Sequence, residues 1–299
     1  MPFTDIGANL TDGAFQGFYF GKKVHDADLT HVINRSLEAN VNHIIVTSGT
    51  LADTKAALNL CSQHEHLSTT VGIHPTRSSQ VLKQGNVDQY IAEMQDIVRS
   101  SSYISCLGEM GLDYDRFKFS SKQQQHDIFD LQLKTLVAED HKQLPLFLHS
   151  RNSTSDMLNF ISDYSSIFSS RDSVIHSFTD GVEAMDQFLS KGSYIGINGC
   201  SLRTKEGLEA VKQLPLDRLL LETDAPYCSI KATHPSFEFV STKHKTVKRE
   251  RYVTGAMVKD RNEPCNVVQV CEVIAAVKKI DVEEVERVCE ANAQRFLRK

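Results

Sequence analysis

The chain contains no apolar stretch long enough for a signal peptide or a membrane span, and its opening Met1-Pro2-Phe3-Thr4-Asp5 carries no basic leader. An intracellular protein without membrane contact is therefore expected. It has no positive excess either: Lys plus Arg number 33 against 38 Asp plus Glu, a net charge of −5, so any site for a polyanion must be local. Cysteine pairs are missing. The seven cysteines, at 61, 106, 200, 228, 265, 271 and 289, are odd in number, scattered and never spaced Cys-x-x-Cys, which favours reduced thiols over disulfides or a zinc knuckle. No glycine fingerprint follows the first strand-like run, which argues against an open doubly wound sheet. Repeats, low-complexity tracts and Gly/Ser linkers are also lacking, so residues 1–299 read as a single domain.

What is present is a soluble globular composition, 40% hydrophobic and 24% charged over 299 residues. Short apolar, β-branched runs alternate with longer amphipathic stretches, the pattern of repeated βα units. The runs are Phe3 to Leu10, His43 to Gly49, Leu67 to His74, Ser105 to Asp113, Pro145 to His149, Ser173 to Phe178, Ser193 to Gly199 and Leu219 to Asp224. Helical spacing marks Asp26 to Ala39, Leu51 to His64, Lys122 to Lys142 and Thr154 to Phe168. Two further helices are expected over Glu263 to Ile280, with Pro264 in the first turn, and Asp281 to Lys299, with Asp281 as N-cap. The fold class is α/β, a (β/α)8 TIM-type barrel with extra C-terminal helices.

In such a barrel the chemistry sits where strands end, because the loops there form a mouth over a rigid floor. His74, Glu109, His149, His176 and Asp224 all fall at that end of their runs. Closure of the barrel would gather them. Imidazoles and carboxylates at one rim suit a borderline or hard divalent cation, with no thiolate near by sequence. Glu109, His149, His176 and Asp224 are the expected metal ligands, and Glu109 would bridge if two ions bind. Asp224 is the candidate base, with Glu109 and His74 beside it in catalysis; His74 is also a candidate for substrate contact. His64-Glu65-His66 lies at the opposite end of the barrel and reads as a solvated turn.

The stretch from Tyr227 to Asn262 carries a local basic excess: Lys231, Lys243, Lys245, Lys248, Arg249, Arg251, Lys259 and Arg261 against Glu238, Glu250 and Asp260. Phe237, Phe239 and Tyr252 lie among these cations. Lys243, Lys245, Lys248 and Arg249 are candidates to grip phosphates while aromatic faces take bases.

Taken together, Asp5-Ile6-Gly7-Ala8-Asn9-Leu10-Thr11, Gly72-Ile73-His74-Pro75, Gly108-Glu109-Met110-Gly111-Leu112-Asp113-Tyr114-Asp115, Phe147-Leu148-His149-Ser150-Arg151, His176-Ser177-Phe178, Tyr194-Ile195-Gly196-Ile197-Asn198-Gly199, Glu222-Thr223-Asp224-Ala225-Pro226 and Arg261-Asn262-Glu263-Pro264 resemble the TatD metal-dependent deoxyribonucleases, of the amidohydrolase-like barrel class. The resemblance runs nearly end to end. It implies hydrolysis of DNA phosphodiester bonds with one or two divalent ions, Mg²⁺ first and Mn²⁺ or Zn²⁺ as alternatives, in the nucleus or cytoplasm. Glu109, His149, His176 and Asp224 match the family's metal ligands, Asp224 also its base, and His74 a histidine at the metal or scissile phosphate. Arg116 and Arg151 follow two of the motifs and are candidate phosphate contacts. DNA is the expected partner, with RNA as an alternative and no obligate protein partner. Where many barrel relatives carry His-x-His on the first strand, this chain has Gly7-Ala8-Asn9, a weaker metal donor. Exonuclease action on single-stranded ends is the leading expectation. A metal-dependent amidohydrolase or lactonase acting on a small molecule is the alternative.

Overall fold

The computed structural model describes residues 2–298. Eight strands run β1 (Phe3–Ala8), β2 (Val41–Val46), β3 (Leu67–Val71), β4 (Ile104–Asp113), β5 (Leu146–Arg151), β6 (Ser173–His176), β7 (Tyr194–Ile197) and β8 (Leu219–Leu221). They form one sheet in chain order. The ladders β1–β2 and β3 through β7 are parallel. Ala8, ending β1, bridges Ala225 just beyond β8, so the first and last strands meet. That is the topology of a (β/α)8 barrel. Every residue of β1, β3, β6, β7 and β8 is buried, as parallel strands covered on both faces must be, so that even the polar residues among them, such as Asp5 and Ser68-Thr69-Thr70, lie inside.

Two compact units divide the chain: Met1–Val46 with Gly196–Ala293, and Thr47–Ile195 with Gln294–Lys299. Each is built from two separate stretches of sequence. The first centres on Ile6, Leu10, Phe15, Ile44 and Ile45, all fully buried; the second centres on Phe129, Phe147, Phe188 and Phe296. Among the described residues no helix is long and apolar enough to cross a membrane. All seven cysteines are free thiols.

Four expected helices are shorter or broken, among them the one expected over Leu51 to His64, which ends at Cys61. The first spans Leu29–Glu38, because Asp28 is turned inward to an arginine instead of extending the helix. The stretch from Lys122 starts with a Ser121/Gln124 capping box, runs as an α-helix to Leu131 and continues as a π-turn, Gln132–Val137. It ends there, short of Lys142. Tyr164, whose hydroxyl reaches Asp130, separates the helices Thr154–Asp163 and Ser165–Ser170. At the C-terminus a 3-10 turn, Pro264–Asn266, leads into Val267–Lys278, and a last helix spans Val282–Phe296.

The first unit buries one carboxyl with an unusual proton. Asp5 is fully buried; its Oδ1 accepts from the Thr223 and Gly7 amides at 2.9 and 3.2 Å, and its Oδ2 from the Thr223 hydroxyl at 2.5 Å. Burial outweighs those hydrogen bonds and pushes the carboxyl up to about 8. Between its unfolded value near 3.8 and about 8, the folded chain therefore holds a proton that the unfolded chain has released. The sign follows: this stabilising contribution is full below the unfolded value and declines by about 1.4 kcal/mol per pH unit as pH rises toward the folded one. Urea unfolding of Asp5→Asn should show a stability profile between pH 5 and pH 8 that is flatter than the wild type by about that slope. Identical slopes would mean that Asp5 is ionised in the fold.

Candidate metal centre

Glu109 owes its position to an irregularity in β4. Gly108 pairs with Phe147 and Met110 with Leu148, so Glu109 is the extra residue of a bulge. Its amide leaves the ladder and donates to the Ser48 carbonyl at 3.0 Å. Bulges re-aim side chains in this way beside active sites. Gly108 is required here: its φ is +142°, and a Cβ would stand 2.1 Å from the Phe147 carbonyl oxygen.

The re-aimed carboxylate meets three imidazoles at one oxygen. His149 Nδ1 donates to Glu109 Oε1 at 2.8 Å and His176 Nε2 at 2.9 Å, while His74 Nε2 lies 3.2 Å away. The far side of His149 faces a second carboxylate, with Nε2 at 3.2 Å from Asp113 Oδ2. The Thr76 amide donates to His74 Nδ1 at 3.1 Å, which leaves the His74 proton on the nitrogen facing Glu109. Glu109, His149 and His176 are buried, and the His74 side chain keeps 18% of its surface.

Electrostatics follows from that packing. Burial opposes ionisation of Glu109, but His176, His74 and the hydrogen bonds from His149 and His176 overcome it and hold the carboxyl well below its ordinary range. Burial also opposes charge on His149, yet Asp113 and Glu109 on its two sides raise it. His74 is different: burial pushes it down more strongly than Glu109 lifts it. Asp113 resists burial through His149 and stays lowered. The site is thus an ionised carboxylate amid imidazoles of unequal basicity.

Two observations test whether a cation fits. His74, Glu109 and His149 each offer a ligand atom, and these atoms lie within 4.8 Å of one another. His149 Nε2 is buried and, despite the nearby Asp113 oxygen, has no hydrogen-bond partner of acceptable geometry. With Nδ1 donating to Glu109, the unpartnered Nε2 of the neutral ring presents a lone pair, which a metal can take. The donor set, nitrogen and oxygen without sulfur, fits a borderline or hard divalent ion.

Two glutamines hold this cluster from behind. Gln132, fully buried on the π-turn, accepts from the Ile73 amide at 2.6 Å and donates to the Ile73 carbonyl at 3.1 Å. Gln125 does the same for Asp113, accepting at 2.7 Å and donating at 2.8 Å. Both backbone segments adjoin cluster residues, so each amide side chain fixes where His74 or Asp113 stands. Sequence reading found neither glutamine, nor Asp113 as a member of the site. The available signal was spacing: Asp113 lies an even number of residues beyond Glu109 on the same strand.

The remaining candidates divide between the units. In the second, Arg116 is exposed on the turn after β4, while Arg151 is half-buried and donates to the Thr179 hydroxyl and, at 3.3 Å, to the Ser177 carbonyl. The His64 and His66 rings meet edge to face at 5.7 Å in the turn before β3, outside the cluster. In the first unit, Asp224 follows β8 with a left-handed backbone, φ 53°. Asn9 Nδ2 donates to its Oδ1 at 2.9 Å and Cys228 Sγ to its Oδ2 at 3.2 Å. Asn9 thus uses its amide nitrogen to orient Asp224. Neighbouring Cys200, burial and Asp224 push the Cys228 thiol far up, so it stays a donor. Lys243, Lys245 and Lys248 are exposed; Lys243 lies over Phe237 at 5.1 Å, and half-buried Arg249 lies over Tyr19 and Phe20 at 5.0 and 5.4 Å.

Comparison with known proteins places the chain among relatives. A model of the family described as TatD related DNase matches residues 4–298. The chain is 37% identical over 290 residues to a deoxyribonuclease Tat-D of Schizosaccharomyces pombe, covering 95% of this chain and 92% of that protein. It is 31% identical to a 3'-5' ssDNA/RNA exonuclease TatD of Edwardsiella piscicida, covering 98% of each. The crystal structure of a hydrolase TatD family protein from Entamoeba histolytica superposes with a TM-score of 0.92 at 34% identity, covering 99% of this chain and 98% of that one.

Proposed function

The chain belongs to the TatD related DNase family, and from that premise we propose that it is a divalent-metal-dependent deoxyribonuclease that removes nucleotides from single-stranded ends. The observation that carries this reading is the carboxylate of Glu109 shared among His149, His176 and His74. The Edwardsiella relative's name supplies the proposed 3'-to-5' direction and RNA as a second substrate.

Glu109, His149 and His176 would hold the ion, with His74 at the same carboxylate. Such an ion supplies charge to polarise a phosphoryl oxygen and lowers the pKa of a water nucleophile. The chain's own groups do the rest. Glu109 remains ionised because imidazoles surround it, and His149 keeps its orientation between Glu109 and Asp113. Asp224 is proposed as a further ligand and as the group that takes the proton, held ready by Asn9. Arg116 and Arg151 would contact phosphate, as would Lys243, Lys245, Lys248 and Arg249. Glu109 and Asp113 supply oxygens suited to Mg²⁺, whereas the imidazoles favour Mn²⁺ or Zn²⁺. Placement in the nucleus or cytoplasm accords with a DNA substrate.

A time course on 5'-labelled single-stranded and duplex oligonucleotides with Mg²⁺, Mn²⁺, Zn²⁺ or chelator tests the proposal. A ladder descending from the 3' end of the single strand is expected, with Mn²⁺ at least as effective as Mg²⁺ and no product in chelator. Cleavage that survives complete metal removal would overturn it, and turnover confined to amides or lactones would replace it with a small-molecule hydrolase.

A further inference from the structure

A two-residue hairpin joins Phe18–Tyr19 to Lys22–Lys23, with Phe18 opposite Lys23 and Tyr19 opposite Lys22. Its turn is Phe20-Gly21, with φ of 51° and 77°. Positive φ at both central positions is the primed turn that suits hairpin twist, and its first position calls for Asn, Asp or Gly. Phe20 is therefore strained by its own Cβ. It gains no burial in return, since 94% of its surface is exposed, and Phe18 beside it is 46% exposed. A bulky apolar side chain kept in a costly conformation and left in water has no folding rationale within this unit.

Its surroundings name a partner. The Arg249 guanidinium lies over both the Tyr19 and Phe20 rings, and Tyr252 stacks on His25 at 4.5 Å, so the turn Arg249–Arg251 packs against the hairpin. Lys22, Lys23, Lys248, Arg249 and Arg251 thus surround the exposed rings, against Asp26, 3.9 Å from Lys23, and Glu250, which binds Arg249. Exposed aromatic faces amid excess cations complement nucleobases joined by phosphates. A protein surface would satisfy the rings but not the cations.

The geometry points to this hairpin as a stacking platform for single-stranded nucleic acid, in which a base lies on Phe20 and the flanking phosphates meet Lys22, Lys23 and the 248–251 turn. The inference rests on the nuclease reading and adds to it a substrate-positioning element outside the metal cluster. Phe20 is a positioning residue, not a catalytic one.

Phe20→Asn separates this role from a structural one, because Asn suits the turn better than Phe. In chelator, anisotropy with a fluorescent 20-residue oligothymidylate should show affinity reduced about tenfold, with a melting temperature equal to or above the wild type. Phe20→Trp should retain affinity within about twofold. Lys22→Gln with Lys23→Gln should reduce the slope of log affinity against log salt by about 1. Unchanged oligonucleotide affinity in Phe20→Asn overturns the platform, as does a wild type that fails to bind the probe. Loss of a dimer in place of loss of affinity would assign the hairpin to a second copy of the chain and equally overturn it. If the wild type binds through Phe20 yet cleaves nothing with metal restored, the platform stands and the nuclease reading falls.

Discussion

Glu109→Gln should lower metal-dependent DNA hydrolysis about a thousandfold while leaving the chain folded. The amide keeps the shape of the side chain and one accepting oxygen, so His149 and His176 retain a hydrogen-bond partner. What it loses is the charge. Burial already works against that charge, and three imidazoles are arranged to sustain it, so the fold keeps an ionised group where a neutral one would cost less. A cation in the cluster would then face imidazoles with Asp113, beside His149, left as the carboxylate of the cluster. Calorimetric titration with Mn²⁺ should show weakened binding in parallel with the lost rate. Full activity in Glu109→Gln would remove this carboxylate from the mechanism, whatever its neighbours do.

The residues that were legible in the sequence share one property: each interrupts an apolar run at its C-terminal end. His74, Glu109, His149 and His176 did so, and parallel strand order brings all four together in one unit. Asp113 is harder to read because its side-chain contact with His149 depends on the register of β4 against β5, in which Gly111 pairs with His149 and Asp113 with Arg151 after the bulge at Glu109. Gln125 and Gln132 resemble solvent-facing helix residues in composition, yet both are fully buried: Gln125 faces inward from the α-helix onto the Asp113 backbone, and Gln132 does so from the π-turn onto Ile73. Phe20 counts in a sequence as one more apolar residue, and its exposure follows from a turn type that the dipeptide Phe-Gly does not advertise. Helix ends failed for similar reasons. Asp28 reads as part of a helix because its buried partner, Arg261, lies 233 residues away.

That partner carries the second large effect. Arg261 donates to Asp28 Oδ1 and Oδ2 at 2.6 Å each and to Glu263 Oε1 at 3.0 Å, and Arg35 grips Glu263 at 2.8 and 3.0 Å. The Arg261, Asp28 and Glu263 side chains keep 2%, 0% and 0% of their surface. Burial disfavours the Arg261 charge, but Asp28 and Glu263 more than compensate and raise it. Arg261→Met fills much of the same volume and leaves Asp28 as a buried carboxylate without a guanidinium, a loss of about 3–5 kcal/mol. Urea unfolding should detect that loss directly. Adding Asp28→Asn should recover part of it, because the penalty lies in the stranded charge and not in the missing pair. Arg261→Lys keeps the charge without the planar fork and should fall between. The network ties the segment after the Phe20 hairpin to the segment after the basic loop, so these variants should also weaken oligonucleotide binding, whereas Phe20→Asn does so without loss of stability. Arg261→Met within about 1 kcal/mol of the wild type would show that the buried pair adds little net stability.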